Sequence, residues 1–139
     1  MEIWIKVLMA MNVFIYRLTG GLLGSQMSGQ SVLLLQTVGR KSGKAYTIPV
    51  NYYRDGKNFI LVASNWGKEH HPGWLINLRA HPETTIQVKR QSYAVTASEA
   101  GGQDYQRLWN YVTSKNDFYV QYQKKTGRKI PIVVMTPAK

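Results

Sequence analysis

The sequence predicts an α+β fold: a mainly antiparallel six-stranded sheet or barrel, with an N-terminal helix and peripheral short helices. Two observations carry this. The runs rich in β-branched and aromatic residues come in consecutive, hairpin-like pairs, which argues against a βαβ order. Helical spacing is confined to the first 20 residues and to insertions late in the chain. A chain of 139 residues fits one domain and buries a core without disulfide or metal staples.

Residues 3–18 are strongly apolar, and Glu2, Lys6 and Arg17 fall on one narrow stripe at 3.6 residues per turn. This predicts an amphipathic helix over residues 1–20, stopped by Gly20-Gly21. Only ten residues separate Lys6 from Arg17, whereas a membrane span needs about 20 apolar residues. No small-residue cleavage site follows, so a signal peptide is disfavoured. The helix either packs on its own domain, the reading preferred, or lies on a membrane surface or partner, a reading that Trp4, Phe14 and Tyr16 beside cations keep open.

Residues 21–30 are rich in Gly, Ser and Gln and read as a loop before a barrel over 31–137. Strands are predicted at Ser31–Thr37, Ala45–Arg54, Asn58–Ser64, Thr84–Arg90, Ser92–Ser98 and Ile130–Thr136. Pro49 marks an edge or a bulge, and Asp55-Gly56 is a hairpin turn signal. Pro72 suits the first turn of a short helix carrying Trp74, Leu75 and Leu78, closed by His81-Pro82. Tyr105, Leu108, Trp109 and Val112 recur at helical spacing, with Asp104 in the favourable first turn. Asp117 is the candidate cap of a last short helix with Phe118, Tyr119 and Tyr122.

The charge is lopsided. Eighteen Lys and Arg against seven Asp and Glu give a formal net charge of +11. Such a balance favours an anionic partner: nucleic acid, an anionic membrane or a polyanionic small molecule. The cations cluster at Arg40, Lys41 and Lys44, and again at Lys124, Lys125, Arg128 and Lys129, with no acid inside either group. The absence of cysteine excludes disulfides, thiolate metal sites and a cysteine nucleophile, and fits a reducing cytosol. His70, His71 and His81 do not have zinc-ligand spacing, so no metal is expected.

Two segments carry candidate chemistry. Thr37-Val38-Gly39-Arg40-Lys41-Ser42-Gly43-Lys44 lies between two strands. Its glycines allow close backbone approach, Arg40 offers a planar fork to phosphate, and Ser42 adds a hydroxyl. The bland alternative is a plain charged hairpin loop. In the second, the strand Val62-Ala63-Ser64 runs through Asn65-Trp66-Gly67 towards a helix start whose free N–H groups suit an anion; the alternative is ordinary packing, with Trp74 in the core.

The ordered set Thr37-x-Gly39-Arg40-Lys41-Ser42-Gly43, Ile48-Pro49-Val50, Asp55-Gly56, Val62-Ala63-Ser64, Pro72-x-Trp74-x-x-Asn77-Leu78-x-Ala80-x-Pro82, Tyr119-x-x-Tyr122-Gln123 and Arg128-x-Ile130-Pro131-Ile132 resembles the deazaflavin (coenzyme F420)-dependent nitroreductase family of split β-barrel proteins, over roughly residues 31–137. The resemblance implies a single split-barrel, cofactor-binding domain over 1–139. It implies an oxidoreductase moving a hydride from reduced coenzyme F420 to a quinone, nitro compound or conjugated enone. It places the cofactor phosphate on Arg40, Lys41 and Ser42, and the deazaflavin ring between Pro49, Val50, Asn51 and Val62, Ala63, Ser64, Asn65. The closing helix start is Gly73, Trp74, Leu75, Ile76 and Asn77. The catalytic candidates are Tyr119 beside the substrate, against a packing role with Phe118 and Tyr122, and Ser64 polarising the acceptor. Two departures stand out: Asn65-Trp66-Gly67 replaces the usual Lys-Gly-Gly, which narrows or alters the acceptor cavity, and Tyr46 replaces a residue that is often basic.

FMN in the same barrel is the alternative cofactor, and a basic nucleic-acid-binding module is the minor alternative, resting on Tyr52, Tyr53 and the cations. The expected partners are a small-molecule acceptor and no nucleic acid. The chain is expected to be a monomer or homodimer in the cytoplasm, either free or held on the inner face of the cell membrane by residues 1–20.

Overall fold

The computed structural model describes residues 26–27 and 30–138. The predicted N-terminal helix over 1–20 lies outside the described residues. Eight strands and three helices follow. The strands are β1 (Gln26–Met27), β2 (Gln30–Val38), β3 (Ala45–Asn51), β4 (Tyr53–Asp55), β5 (Asn58–Val62), β6 (Glu83–Val88), β7 (Gln91–Glu99) and β8 (Ile132–Pro137). The helices are α1 (Gly73–Ala80), α2 (Gly102–Lys115) and α3 (Phe118–Lys125), with one 3₁₀ turn at Asn65–Gly67.

The count differs from the six strands expected for two reasons. The Gly/Ser/Gln stretch read as a loop contains the short β1, which pairs with the start of β2 (Gln26↔Ser31). The single strand expected over Ala45–Arg54 breaks at Tyr52 into β3 and β4. That break has a topological consequence. All pairings are antiparallel, in the order β1-β2-β6-β7-β8-β5-β4, with β3 also on β2. The chain segment Ala45–Asp55 therefore pairs with β2 through its first half and with β5 through its second. One continuous segment can border both ends of a sheet only if the sheet curls back on itself. Pro49, which has no N–H to give, is tolerated because β3 pairs only with β2 among the described residues. Gly56 turns the β4–β5 hairpin at φ 61°, a conformation glycine adopts without strain.

Side chains alternate across the curled sheet and supply two cores. Inward-facing Leu33, Leu35, Phe59, Leu61, Ile86, Val95, Val133 and Met135 fill the barrel, and Leu75 and Leu78 of α1 complete that cluster. The intervening positions Ile60, Val62 and Ile132 face outward under Tyr105, Leu108 and Val112 of α2 and Tyr119 of α3. Tyr105, Leu108 and Val112 lie on one helical face, as their spacing predicted. Each fully buried Leu, Ile or Phe contributes about 1.5–3 kcal/mol. At the head of α3, Asp117 holds the cap position without a side-chain bond. The side-chain bond at this helix start comes instead from the preceding residue, Asn116, whose Oδ1 accepts the Phe118 N–H at 3.1 Å.

Candidate active site

The Gly39–Lys44 loop joins β2 to β3 and is folded by its own backbone. Gly39 N–H donates to Lys44 O and Gly43 N–H to Gly39 O, both at 2.8 Å. A Cβ at Gly39 would lie 2.6 Å from Ser42 Oγ and 2.9 Å from the Tyr46 ring, so a larger residue there would have to push these two exposed side chains aside. Ser42 Oγ accepts the Lys44 N–H at 3.2 Å. Ser42 Oγ also shares a 3.5 Å hydrogen bond with the Tyr46 hydroxyl. Arg40, Lys41 and Lys44 are exposed. Among the described residues the ion pairs are made by Arg79 with Glu99 and by Arg107 with Asp55 and Asp104. The loop cations therefore face solvent with their charge uncompensated by a carboxylate.

Asn77 braces this loop from α1. It is 8% exposed. Its Oδ1 accepts from Arg40 N–H at 3.3 Å and from the Arg40 guanidinium at 3.1 Å, while its Nδ2 donates to Thr37 Oγ1 at 3.3 Å. Asn77 and Arg40, both expected at the cofactor, are thus brought together directly. The Asn77 amide is committed to aiming Arg40. Leu75, also placed at the helix start by the sequence, is buried in the barrel core, with its N–H on Pro72 O at 3.1 Å. Gly73 is exposed and Trp74 and Ile76 are half-buried.

The second wall forms where β5 ends. Val62, Ala63 and Ser64 are buried, and Pro49, Val50 and Asn51 of β3 are half-buried. The chain then enters a strained turn: Asn65 has φ 46°, and Trp66 has φ 62° and ψ 21°. A non-glycine residue held there costs on the order of 1–3 kcal/mol. Arg128 offsets that cost. Its guanidinium donates to Ala63 O (3.2 Å), Ser64 O (2.8 Å) and Lys68 O (3.0 Å), and meets His71 Nδ1 at 2.9 Å. An arginine has no acceptor lone pair, so His71 Nδ1 must be the unprotonated nitrogen. Burial, and then the Arg128 charge, hold the His71 pKa below its ordinary value. Sequence reasoning placed Arg128 only in a basic cluster and a motif. Its partners lie 57 to 65 residues away in the chain, so no local spacing announces them.

Tyr119 lies on the α3 side, 5% exposed. Its hydroxyl shares a 3.0 Å hydrogen bond with that of Tyr53, and its ring meets those of Tyr53 and Tyr122 edge-on. Burial, then the Tyr53 bond, push the Tyr119 pKa far above the usual tyrosine value; Asn116 and Asn51 side chains bond to it with a smaller, opposite effect. Tyr119 is therefore a neutral hydrogen-bonding group at any physiological pH. Asn51 links it to the β3 wall. Apart from these walls, a cleft of about 220 Å³ lies between α1 and β7–β8, lined by Leu75, Leu78, Arg79 and Glu99 among others; the Arg79–Glu99 ion pair closes one side, and the basic loop is not part of it.

The described residues thus offer an exposed basic loop after β2 and two segments, Pro49–Asn51 and Val62–Asn65, expected beside a cofactor. Comparison with known proteins decides which cofactor such an arrangement serves. Residues 8–137 match the family described as F420H(2)-dependent quinone reductase. The chain belongs to that family. An F420H(2)-dependent quinone reductase of Mycobacterium tuberculosis (strain ATCC 25618 / H37Rv) is 39% identical over 133 residues, covering 93% of this chain and 89% of the relative. A solved structure of an F420-H2 dependent reductase superposes with a TM-score of 0.68 at 30% identity, over 75% of this chain and 92% of that one. Another, described as a domain-swapped dimer, superposes with a TM-score of 0.73 at 26% identity, over 96% and 98%.

Membership of the F420H(2)-dependent quinone reductase family makes the chain an oxidoreductase with coenzyme F420 as its cofactor. The residues present fit such a group. A phosphodiester and an oligoglutamate tail call for cations not already paired with carboxylates, and the Arg40–Lys44 loop supplies them. A flat ring calls for close backbone walls, and the small residues Ala63 and Ser64 supply one.

Proposed function

We propose that this chain reduces a quinone with reduced F420, holding the cofactor phosphate on Arg40, Lys41 and Ser42 and its ring between Pro49–Asn51 and Val62–Asn65. The observation that supports the placement is the Arg40–Asn77–Thr37 brace, which holds a guanidinium that pairs with no carboxylate among the described residues. A quinone becomes a hydroquinone by gaining one hydride and one proton. Bound reduced F420 supplies the hydride, and holding the acceptor close and in line supplies much of the rate.

The protein's own groups then act on the acceptor. Ser64 Oγ, two residues beyond β5, is the donor we assign to an acceptor oxygen as negative charge develops on it. Tyr119 gives shape and a neutral hydrogen bond through the Tyr53 and Asn51 network. Its raised pKa makes it a poor source of a transferred proton, so solvent is the source we assign. Gly73, Trp74 and Ile76 close over the ring; Asn77 acts through Arg40. Nitro compounds and conjugated enones are further acceptors of the same hydride.

The test is direct. Oxidised F420 should bind at micromolar concentration with a change in its fluorescence, and reduced F420 should be consumed when menadione is added. A protein that binds FMN instead, and purifies yellow, would overturn the cofactor placement. We also expect a homodimer, on the strength of the related domain-swapped dimer; a monomer by sedimentation equilibrium at micromolar concentration would contradict this.

A further inference from the structure

We propose that Trp66 is a specificity-determining residue that stacks on a flat aromatic acceptor at the rim of the active site. This rests on the quinone-reductase reading above and adds to it the side chain that selects the acceptor's shape.

Trp66 is 71% exposed, the most exposed of the large hydrophobic residues described. It sits at positive φ beside Asn65, also at positive φ, so two consecutive side chains occupy a conformation that disfavours them. The structure spends four interactions to keep this turn as it is. Arg128 ties down the carbonyls on both sides of it, at Ser64 and Lys68. Gly67 N–H returns to Ser64 O at 2.9 Å, and Asn65 Nδ2 reaches His70 O at 3.0 Å. A turn held this firmly fixes the backbone from which the indole projects, and an aromatic side chain with two rotatable angles loses little freedom when a ligand stacks on it.

The surroundings point to an aromatic ligand. Trp66 is two residues beyond Ser64, the group assigned to the acceptor oxygen. The next residue, Gly67, lies so close to α3 that a Cβ there would be 3.1 Å from Tyr122 Cα. Tyr122 in turn stacks with Phe118 at 6.4 Å between centroids and 21° between planes, and Phe118 is 55% exposed. The Trp66 turn thus packs on the helix that carries Tyr122 and the exposed Phe118. Aromatic faces at offset-stacking distance favour a planar ring system and discriminate little on hydrogen bonding.

The strain makes the test clean, because glycine is the residue that the backbone at position 66 prefers. Trp66→Gly should keep or raise the melting temperature by a few degrees. With reduced F420 saturating, its KM for menadione, a flat bicyclic quinone, should rise about tenfold. Its kcat should change less than about twofold, and its F420 affinity should not change. With duroquinone, a single ring, the KM rise should be no more than about threefold. Trp66→Phe should retain most of the low menadione KM. An unchanged menadione KM in Trp66→Gly would overturn the proposal and leave the quinone-reductase reading standing. So would equal losses for both quinones, a Phe variant as poor as the Gly variant, or a fall in melting temperature. A wild-type protein that does not reduce menadione would remove both.

Discussion

Arg40 and Lys41 are exposed side chains whose charge meets no carboxylate among the described residues. Removing them leaves no buried group unpaired, so the fold should barely notice, whereas each charge-assisted bond to phosphate is worth about 1.5–3 kcal/mol. The double variant Arg40→Ala/Lys41→Ala should therefore bind F420 at least tenfold more weakly with a melting temperature within about two degrees of the parent. Fluorescence titration and thermal unfolding check the two halves separately. Arg128 is the opposite case. It is half-buried and feeds three carbonyls, so Arg128→Ala strands acceptors in the Ala63–Lys68 turn and should cost about 2–4 kcal/mol. It should also lower kcat, because Ser64 loses its support. Denaturant unfolding with activity at matched folded fraction tests this.

His71 adds a pH dependence at the same residue cluster. The charged groups around it are Arg128, Arg79 and Glu99, of which only Glu99 favours the protonated ring. The folded-state pKa lies below the ordinary histidine value of about 6.5, so between the two values the unfolded chain binds more protons and stability rises with pH. The contribution is fully present above about pH 6.5 and is lost as pH falls towards the folded pKa. Thermal unfolding of the parent between pH 5 and 7.5 should show this loss, and His71→Gln, which keeps an acceptor without a titrating proton, should flatten it.

At the scale of elements, the decisive joint is between α1 and the β2–β3 loop. Asn77 is a single side chain that reads both a strand end, at Thr37, and the loop, at Arg40. Asn77→Asp should separate its two roles. The carboxylate still accepts from Arg40, and more strongly, but it cannot donate to Thr37 and it compensates the charge meant for phosphate. We expect a modest stability change of about 1 kcal/mol and a loss of F420 affinity of at least tenfold; equal affinity by titration would show that Arg40 is not the phosphate anchor. The strand elements were mostly legible beforehand: the Asp55-Gly56 hairpin, the late helices and the edge position of Pro49 all follow from local chemistry. The break at Tyr52 was not, because nothing in Asn51-Tyr52-Tyr53 says that β3 will pair with β2 while β4 pairs with β5. The two-residue β1 was missed for a related reason. A Gly/Ser/Gln stretch carries no period-2 pattern, and its pairing is set by β2.

For the whole molecule, the formal net charge is +11, and Arg40, Lys41 and Lys44 of the proposed phosphate loop contribute to it. F420 binding should therefore weaken as ionic strength rises from about 50 to 500 mM, more steeply than one ion pair would give. No helix among the described residues is long and apolar enough to cross a membrane. The sequence by itself determined the α+β class, the antiparallel pairing, the basic loop and, through the order of its motifs, the deazaflavin cofactor. Each of these is written in neighbouring residues or in their order along the chain. Only the tertiary structure decided that Asn77 braces Arg40, that Arg128 locks the turn after Ser64, and that Trp66 stands out from it under strain. The physical reason is distance along the chain. Arg40 and Asn77 are 37 residues apart and Ser64 and Arg128 are 64 apart. Contacts of that span are made by a closing barrel, and no local propensity encodes them.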